Sequence, residues 1–378
     1  MSGGWVLLIG NYPPDRQESM LRYGRLVGRS LSLAGLRWRL IRPEALLRRG
    51  ACAQGRLARW LGALDKFLLF PPRLLWLLHR PWGRRPALVH LLDQGNGVYL
   101  PLLRGIPHLV TLHDLIAVRA GSGGPTRHPA PRPSPYQRLN RAALARAERL
   151  LCVSRASRHD ALQVLGVERR RTAVLPNPLE PCLLRPAAGP LPQLPPRYWL
   201  HVGSGAWYKN RAAVLRIHAR LLAAPPDGEG LAIPLVLLGQ PLQAEELALL
   251  RRLGSGPQVV HAGGLDDRQL RAAYRFAEGL IFPSLEEGFG WPVLEALAQG
   301  CPVYVSAIPP LLEVGGEAVL AIDPADPAAA AGRIAADWRQ PAARARRQHC
   351  GRRLAARHSL EGYARALVRA YRQQVELG

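Results

Sequence analysis

Two glutamates, Glu287 and Glu295, lie eight positions apart in the segment FPSLEEGFGWPVLEALAQGCPVYVS, residues 282–306. The segment reads as the end of a strand, a glycine-containing loop and a helix that opens with Pro292 at its first position. The amides and the dipole at the start of such a helix favour a bound phosphate. One carboxylate could then approach a transferred group while the other accepts hydrogen bonds from a sugar diol. The alternative is a loop-to-helix junction whose two glutamates face solvent.

A second segment suited to anion chemistry is HVGSGAWYKNRAAVLRIHARL, residues 201–221. It predicts a strand, a glycine loop and a helix that Lys209 immediately precedes. An ammonium group there could neutralise the charge that develops on a leaving diphosphate, although a solvated surface lysine is the simpler interpretation. The 51 basic side chains comprise 49 arginines and only two lysines, Lys66 and Lys209. Lysine at this position therefore indicates a role that arginine would not serve.

The segment EEGFGWPVLEALAQGCPV closely resembles the E-x7-E segment of glycosyltransferase family 4, whose members are retaining enzymes with the GT-B fold. The resemblance implies that Glu295 binds the ribose hydroxyls of the donor and that Glu287 faces the transferred sugar. It also implies that the loop amides of Gly288, Phe289 and Gly290 hold phosphate and sugar oxygens of the donor.

The segment around Lys209 resembles the V-G-x(n)-R-K-N segment of the same family, in which the lysine contacts the donor diphosphate. The donor-binding residues implied here are Gly203, Ser204, Lys209 and Asn210. Tyr208 stands where the family commonly has an arginine, so its second phosphate-binding cation is unaccounted for, and Arg211 is the candidate replacement. The stretch HAGGLDDRQLRAAYRFAEGLIFPS, residues 261–284, also resembles family sequence.

In the N-terminal half, VTLHDLIAV places His113 and Asp114 just past a predicted strand end. A lone histidine is often structural, but this stretch resembles the family's acceptor-domain motif, whose histidine touches the transferred sugar. His113 is thereby implied as a catalytic residue beside Glu287 and Lys209. The family's N-terminal glycine loop is poorly matched by Asn11–Pro14, and Asn177 is a weaker candidate for lining the site.

Short apolar strands alternate with helices along most of the chain, which predicts α/β architecture with parallel sheets covered on both faces. Six strands are predicted before residue 178 and five after residue 197. The expected fold is GT-B, with two Rossmann-like doubly wound domains facing across a cleft. The expected domains are residues 1–182, for the acceptor, and 198–355, for the donor. A proline-rich linker, 183–197, would join them, and a C-terminal helix, 356–378, would pack back on the first domain.

The composition, 48% hydrophobic and 21% charged over 378 residues, is that of a globular protein. The formal charge of +24 has two interpretations, a coding bias towards arginine or attraction to anionic partners. No basic motif interleaved with aromatic residues indicates nucleic-acid binding. Five scattered cysteines, no signal peptide and no apolar run long enough to span a bilayer predict a cytoplasmic protein in a reducing compartment.

The segment LDKFLLFPPRLLWLLHRPWGRR, residues 64–85, mixes aromatic with basic side chains, including Trp82, Arg80 and Arg84. It predicts either a surface that touches the inner face of an anionic membrane or an ordinary amphipathic helix interrupted at Pro71–Pro72.

The activity implied by the resemblance is metal-independent transfer of a hexose, with mannose as one candidate, from a nucleoside diphosphate sugar to an acceptor hydroxyl. The acceptor would be a glycan or glycolipid in cell-envelope polysaccharide synthesis, and no cofactor beyond the donor is expected. The alternatives are a sugar-nucleotide epimerase or phosphorylase on the same fold, and a non-catalytic arginine-rich protein that binds nucleic acid or lipid.

Overall fold

A computed structural model describes residues 4–48, 55–79, 85–119, 134–223 and 231–377. The chain divides into two compact units, Met1–Pro178 with Leu360–Gly378, and Leu179–Ser359. The C-terminal helix belongs to the first unit. Residues 183–197, expected as a linker, belong to the second unit, where Leu183 and Leu194 are buried.

The first unit contains a parallel sheet of six strands within the described residues, in the order β2-β1-β3-β4-β5-β6. Its strands are β1 Trp5–Ile9, β2 Arg37–Ile41, β3 Leu88–Leu91, β4 His108–Leu112, β5 Leu150–Cys152 and β6 Thr172–Val174. The central strands are buried along their whole length because helices cover both faces, whereas the edge strand β2 carries exposed arginines. The six strands are those predicted from the sequence, with ends that shift by one or two residues.

The second unit holds another parallel sheet of six described strands, in the order β12-β11-β10-β7-β8-β9. Its strands are β7 Trp199–Gly203, β8 Leu235–Gly239, β9 Val259–Ala262, β10 Gly279–Phe282, β11 Val303–Ser306 and β12 Val319–Ile322. Counted from β7, this is the Rossmann order 3-2-1-4-5-6. Five of these strands were predicted. The sixth, β12, was missed because it is only four residues long and follows Gly315–Gly316 with no clear periodicity.

Helices connect the strands in both units. In the first unit they are α1 Glu18–Leu33, α2 Arg56–Leu64, α3 Phe70–His79, α4 Ile116–Arg119, α5 Pro135–Leu144 and α6 Arg155–Leu165. In the second they are α7 Arg211–Ala223, α8 Ala244–Leu253, α9 Asp267–Arg275, α10 Trp291–Ala298, α11 Pro309–Gly315, α12 Pro327–Trp338 and α13 Pro341–Ala356. The last helix, α14 Leu360–Leu377, returns to the first unit.

Helices α2 and α3 are joined without a break by a π-helical turn, Asp65–Leu69. Pro71 and Pro72 lie in the first turn of α3, so the expected interruption there is wrong. Proline lacks an amide hydrogen, and a wide π turn just before it lets the hydrogen-bond ladder change register without ending the helix. Trp82, Arg80 and Arg84 lie outside the described residues.

The buried carboxylate of Asp65 anchors this long helix to the rest of the first unit. It accepts hydrogen bonds from the hydroxyl of Tyr12 at 2.6 Å and from the amides of Leu47 and Arg48 at 2.9 and 3.4 Å. Burial by itself would raise the pKa of Asp65, but these hydrogen bonds prevail and lower it.

We expect Asp65→Asn to destabilise the folded chain by about 2 kcal/mol at pH 7, because a charge-assisted acceptor is lost. The lowered folded-state pKa means that this stabilisation is complete above the unfolded pKa of about 3.9 and is lost as the pH falls through the folded value. The difference from the parent protein in urea unfolding should therefore shrink as the pH falls below about 4. Asp267→Asn, at an exposed helix position, is the control. A difference that stays constant with pH would contradict this account.

Candidate functional site

In the second unit, β7 and β10 are neighbours in the sheet although 75 residues of chain separate their ends. This pair marks the point where the strand order reverses, because the chain builds β8 and β9 on one side and β11 and β12 on the other. Open parallel sheets bind ligands outside the carboxyl ends of the strands at such a point. The loops that leave β7 and β10 carry most of the predicted donor-binding residues.

Backbone contacts hold these two loops together. The amide of Leu285, in the loop after β10, donates to the carbonyl of Tyr208, in the loop after β7, at 2.7 Å. The side-chain amide of Asn210 donates to the carbonyl of Pro283 at 3.2 Å. Asn210 has a left-handed backbone, φ 54°, a conformation that asparagine tolerates better than most residues, and it ends the turn directly before α7. The position of Lys209 relative to the second loop is therefore fixed by its neighbours.

Lys209 and Glu287 form an ion pair across the two loops, with 2.6 Å between Nζ and Oε1. Their side chains are 15% and 8% exposed. The ammonium also lies 5.3 Å from the ring centroid of Phe282 and 5.5 Å from that of Tyr208. The structure thus brings together two of the three predicted catalytic residues in a partly desolvated site, where a charge acts more strongly than in water.

The second loop ends at Gly290, whose φ of 101° and close surroundings require glycine. A Cβ atom there would lie 2.7 Å from a methyl group of Leu311. Helix α10 begins at Trp291, so Pro292 is its second residue. The expectation from the sequence, that Pro292 is the first residue of the helix, is wrong by one position. The amides of Val293 and Leu294 donate to the carbonyl of Gly290. The first turn therefore offers fewer amides to a phosphate than predicted, and phosphate binding by the loop amides of residues 288–290 stays a prediction.

Glu295 lies on the side of α10 that faces α9 and is only 3% exposed. The hydroxyl of Tyr274, on α9, donates to its carboxylate at 2.8 Å. Tyr274 was missed in the sequence, since nothing local links it to a glutamate 21 positions later. A buried carboxylate oriented by a tyrosine suits recognition of a hydroxyl pair, but its binding to ribose stays a prediction.

Arg211, the candidate for the missing second cation, is turned into the protein and is only 3% exposed. Its guanidinium lies 3.0 Å from the carboxylate of Glu246 and donates to the carbonyl of Gln240 at 3.0 Å. These contacts tie the start of α7 to the segment after β8. They commit Arg211 to holding the loop, which argues against a role as the replacement phosphate ligand.

His201, which was not predicted from the sequence, is buried on β7 beneath the glycine loop. Its Nδ1 donates to the carbonyl of Ile281 at 2.9 Å, and its Nε2 is buried with no hydrogen-bond partner among the described residues. A Cβ atom on Gly203 would lie 3.2 Å from that Nε2. Burial, with the nearby charges of Arg211 and Lys209, lowers the pKa of His201 to about 4, so the ring is neutral at pH 7.

In the first unit, His113 follows β4 and is fixed by residues of the segment that follows β3. Its Nε2 donates to the carbonyl of Leu92 at 3.0 Å, and its backbone amide donates to the side chain of Gln94 at 2.9 Å. The ring meets that of Tyr23 edge to face at 4.7 Å. Burial lowers the pKa of His113, although the charge of Asp93 opposes the change. A neutral ring with Nε2 protonated presents a lone pair at Nδ1.

A buried polar chain connects this region to α14. The hydroxyl of Tyr23 lies 2.8 Å from that of Thr111 and 2.7 Å from that of Tyr363. His90 bonds to Thr111 through one ring nitrogen and to Tyr371 through the other, both at 2.7 Å. Because Tyr363 and Tyr371 belong to α14, the end of the chain takes part in the structure around the strand that positions His113.

Within the described ranges, no helix is both long and apolar enough to span a bilayer. No cluster of three or more histidine, cysteine, aspartate or glutamate side chains suited to a metal ion occurs in the same part of the chain.

Two Rossmann-like units, with a basic residue and a carboxylate at the strand-order reversal of the second, define a protein of the GT-B class. Family models match successive parts of the chain, with "Glycosyltransferase Family 4" over residues 31–181 and "Glycosyl transferases group 1" over residues 190–353. The chain belongs to glycosyltransferase family 4 and is a glycosyltransferase.

Similar curated proteins include the O-antigen chain mannosyltransferase B of Escherichia coli, 27% identical over 73% of this chain and 72% of that protein. The MMP alpha-(1->4)-mannosyltransferase of Mycolicibacterium hassiacum is 31% identical over 47% of this chain and 42% of its own length. Among solved structures, sucrose-phosphate synthase from Thermosynechococcus elongatus matches 99% of this chain and 100% of that chain, with a TM-score of 0.77 and 20% identity. At that identity the match establishes the fold alone.

We predict that Gly290→Ala lowers the free energy of unfolding by about 1–3 kcal/mol, since it adds backbone strain and a contact with Leu311. Gly332→Ala is the matched control: Gly332 lies within α12 with open space around its Cα, so alanine there should raise stability by about 0.5–1 kcal/mol. Thermal unfolding of the parent and of both variants measures these two changes in stability. Equal melting temperatures for the two variants would contradict the strained loop.

Proposed function

We propose that this glycosyltransferase moves a hexose, with retention of configuration, from a nucleoside diphosphate sugar to an acceptor hydroxyl. The observation that supports it most is the Lys209–Glu287 pair, 2.6 Å apart where the strand order of the second sheet reverses. A positive charge at that point is suited to a diphosphate, and a carboxylate beside it is suited to the hydroxyls of the sugar next to the diphosphate.

In the proposed reaction the bond between the anomeric carbon and the diphosphate oxygen breaks, the acceptor oxygen forms the new bond, and its proton passes to the departing diphosphate. Lys209 and the loop amides of residues 288–290 stabilise the charge that develops on the departing diphosphate. Each preorganised hydrogen-bond donor of this kind lowers the activation free energy by about 3 kcal/mol. The chain's own groups thus supply the neutralising charge, which is the basis for proposing a metal-independent reaction. Glu287 orients Lys209 and the sugar and is not assigned as a nucleophile.

We infer that Glu295 binds the ribose of the donor. It lies in the helix that begins directly after the phosphate-binding loop, and the hydroxyl of Tyr274 fixes one of its oxygens. A bridging carboxylate of this kind accepts hydrogen bonds from two neighbouring hydroxyls. Gly203 and Ser204, beside Lys209, complete the proposed donor loop.

The curated relatives named as mannosyltransferases, one of them of an O-antigen chain, support mannose and a cell-envelope polysaccharide or glycolipid as the first donor sugar and acceptor to test. A fold neighbour was solved with UDP, so the nucleotide panel should include both UDP and GDP sugars. We place the reaction in the cytoplasm, which agrees with buried, unpaired thiols at Cys152 and Cys301.

We predict that Lys209→Arg leaves donor binding nearly intact and lowers kcat at least about tenfold. An arginine in that position would pair both carboxylate oxygens of Glu287 with its planar fork and hold its charge away from the diphosphate. Glu295→Ala should instead weaken donor binding, raising the donor KM about tenfold with a smaller effect on kcat. Steady-state kinetics with GDP-mannose and UDP-glucose, together with thermal shifts by GDP and UDP, separate the two effects.

Lys66→Arg is the matched control, since it changes the chain's other lysine, which lies in the first unit and pairs with Asp15 at 3.0 Å. It should leave kinetics unchanged. Full activity in Lys209→Arg and Glu295→Ala would show that the site is assigned wrongly. Interconversion of the free nucleotide sugar without an acceptor would indicate an epimerase, and product formation from a sugar phosphate would indicate a phosphorylase; either result would overturn the proposed transfer.

For His113 we predict a contact with the transferred sugar. His113→Ala should lower kcat about tenfold, the cost of one hydrogen bond, while a nucleoside diphosphate still raises the melting temperature as in the parent. Since burial keeps the ring neutral, the parent's rate should show no inflection near pH 6.5 that His113→Ala removes. The exposed His159→Ala is the control. Loss of nucleotide stabilisation in His113→Ala would contradict a role confined to the sugar.

A further inference from the structure

We propose that the outer face of helices α2 and α3 docks on an anionic phospholipid membrane. This outer stripe consists of exposed apolar side chains that lie along one side of the continuous helix: Leu57, Trp60, Leu64, Leu68, Leu75 and Trp76. Up to Leu68 they are spaced three or four residues apart, as one face of a helix requires.

The exposure of the outer stripe is large for residues of these types. Trp60 is 71% exposed and Trp76 is 64% exposed, while Leu57 and Leu68 are 67% and 60% exposed. Scattered single apolar residues are normal on a surface, but a continuous row marks an interaction site. Trp76 lies 16 positions after Trp60, which corresponds to roughly 24 Å at the rise of an α-helix, so the stripe is long and narrow.

The opposite face of the same helix already has its partners. Ala58, Phe70, Leu74 and Leu78 are buried in the first unit, and Asp65 anchors the central π turn. The helix is therefore apolar on two sides. One side packs in the core of the first unit, and the other side, the outer stripe, is exposed. The outer stripe does not contribute to the buried core, and its composition calls for a different partner.

The charges beside the stripe indicate which partner. Residues 55–79 include one acidic side chain, that of Asp65, which is 1% exposed and turned inward. The basic residues Arg56 and Arg59 are exposed beside the stripe, whereas the exposed Arg73 is paired with Glu44 at 2.8 Å, so the positive charge lies mainly at the α2 end. A helix with tryptophan and leucine on one face and basic side chains at its borders is the type that lies in the headgroup region of anionic lipid.

A second copy of the chain fits this surface less well. Each copy carries a formal charge of +24, and pairing two stripes would bring the arginines of both copies together in a region of low dielectric. An anionic bilayer, by contrast, gains from the same arginines while it accepts the tryptophan and leucine side chains. The observations therefore favour a lipid surface over self-association.

The test is flotation of the full chain with vesicles of phosphatidylcholine alone and of phosphatidylcholine with about 40% phosphatidylglycerol. We expect binding to the anionic vesicles that falls as salt is raised, and little binding to the neutral ones. Arg56→Glu/Arg59→Glu should weaken the anionic binding at least about tenfold, because each basic residue near the surface contributes about fivefold. Leu57→Ser/Leu68→Ser should weaken it by a similar factor.

The matched control is Leu247→Ser/Leu312→Ser, which changes two leucines of the second unit that are 43% and 40% exposed. It should bind vesicles like the parent. Because all the substituted side chains are exposed, every variant should keep the parent's melting temperature. Equal vesicle binding by the stripe variants and the parent would overturn the proposal. So would a parent dimer in sedimentation that Leu57→Ser/Leu68→Ser converts to monomer without any vesicle binding.

Discussion

The candidate site depends on the adjacency of β7 and β10 in the second sheet. Two strands far apart in sequence become neighbours there, and the loops that leave them must run side by side. Hydrogen bonds between the loops fix their separation, and the ion pair of Lys209 with Glu287 forms only because that separation is small. Since a partly buried ion pair gains little unless its geometry is good, the backbone contacts are what make the pair stable.

The first unit uses the same construction for a different side chain. His113 follows β4, and its ring donates to the carbonyl of Leu92, the first residue after β3. Because β3 and β4 are neighbours in the sheet, the ring orientation also comes from strand adjacency. Tyr363 and Tyr371 of α14 form hydrogen bonds with Tyr23 and His90 of the same unit. The last 19 residues of the chain thereby join the unit that the first 178 residues build. The chain's two ends are thus part of one structural unit.

The sequence was sufficient to predict eleven of the twelve described strands, because a buried parallel strand is a short apolar run between breakers. It was insufficient wherever the structure depends on distant partners. The π turn before Pro71 is stabilised by Asp65, whose partner Tyr12 lies 53 positions away. Arg211 looked available beside Lys209, yet Glu246 draws it inward from 35 positions further on. Residue types indicated the candidate site, but pairings with remote residues decided which side chains lie in it.

The choice of lysine over arginine at position 209 has a geometric reason in the structure. An ammonium group carries three hydrogens around one atom, and a single oxygen of Glu287 engages it at 2.6 Å. Hydrogens directed elsewhere can therefore reach a second acceptor while the ion pair persists. A guanidinium would match both oxygens of Glu287 with its planar fork and leave its charge spread along that contact. In a chain with 49 arginines, a lysine paired through one oxygen therefore suits the proposed site, in which one group holds a carboxylate and a phosphate at once.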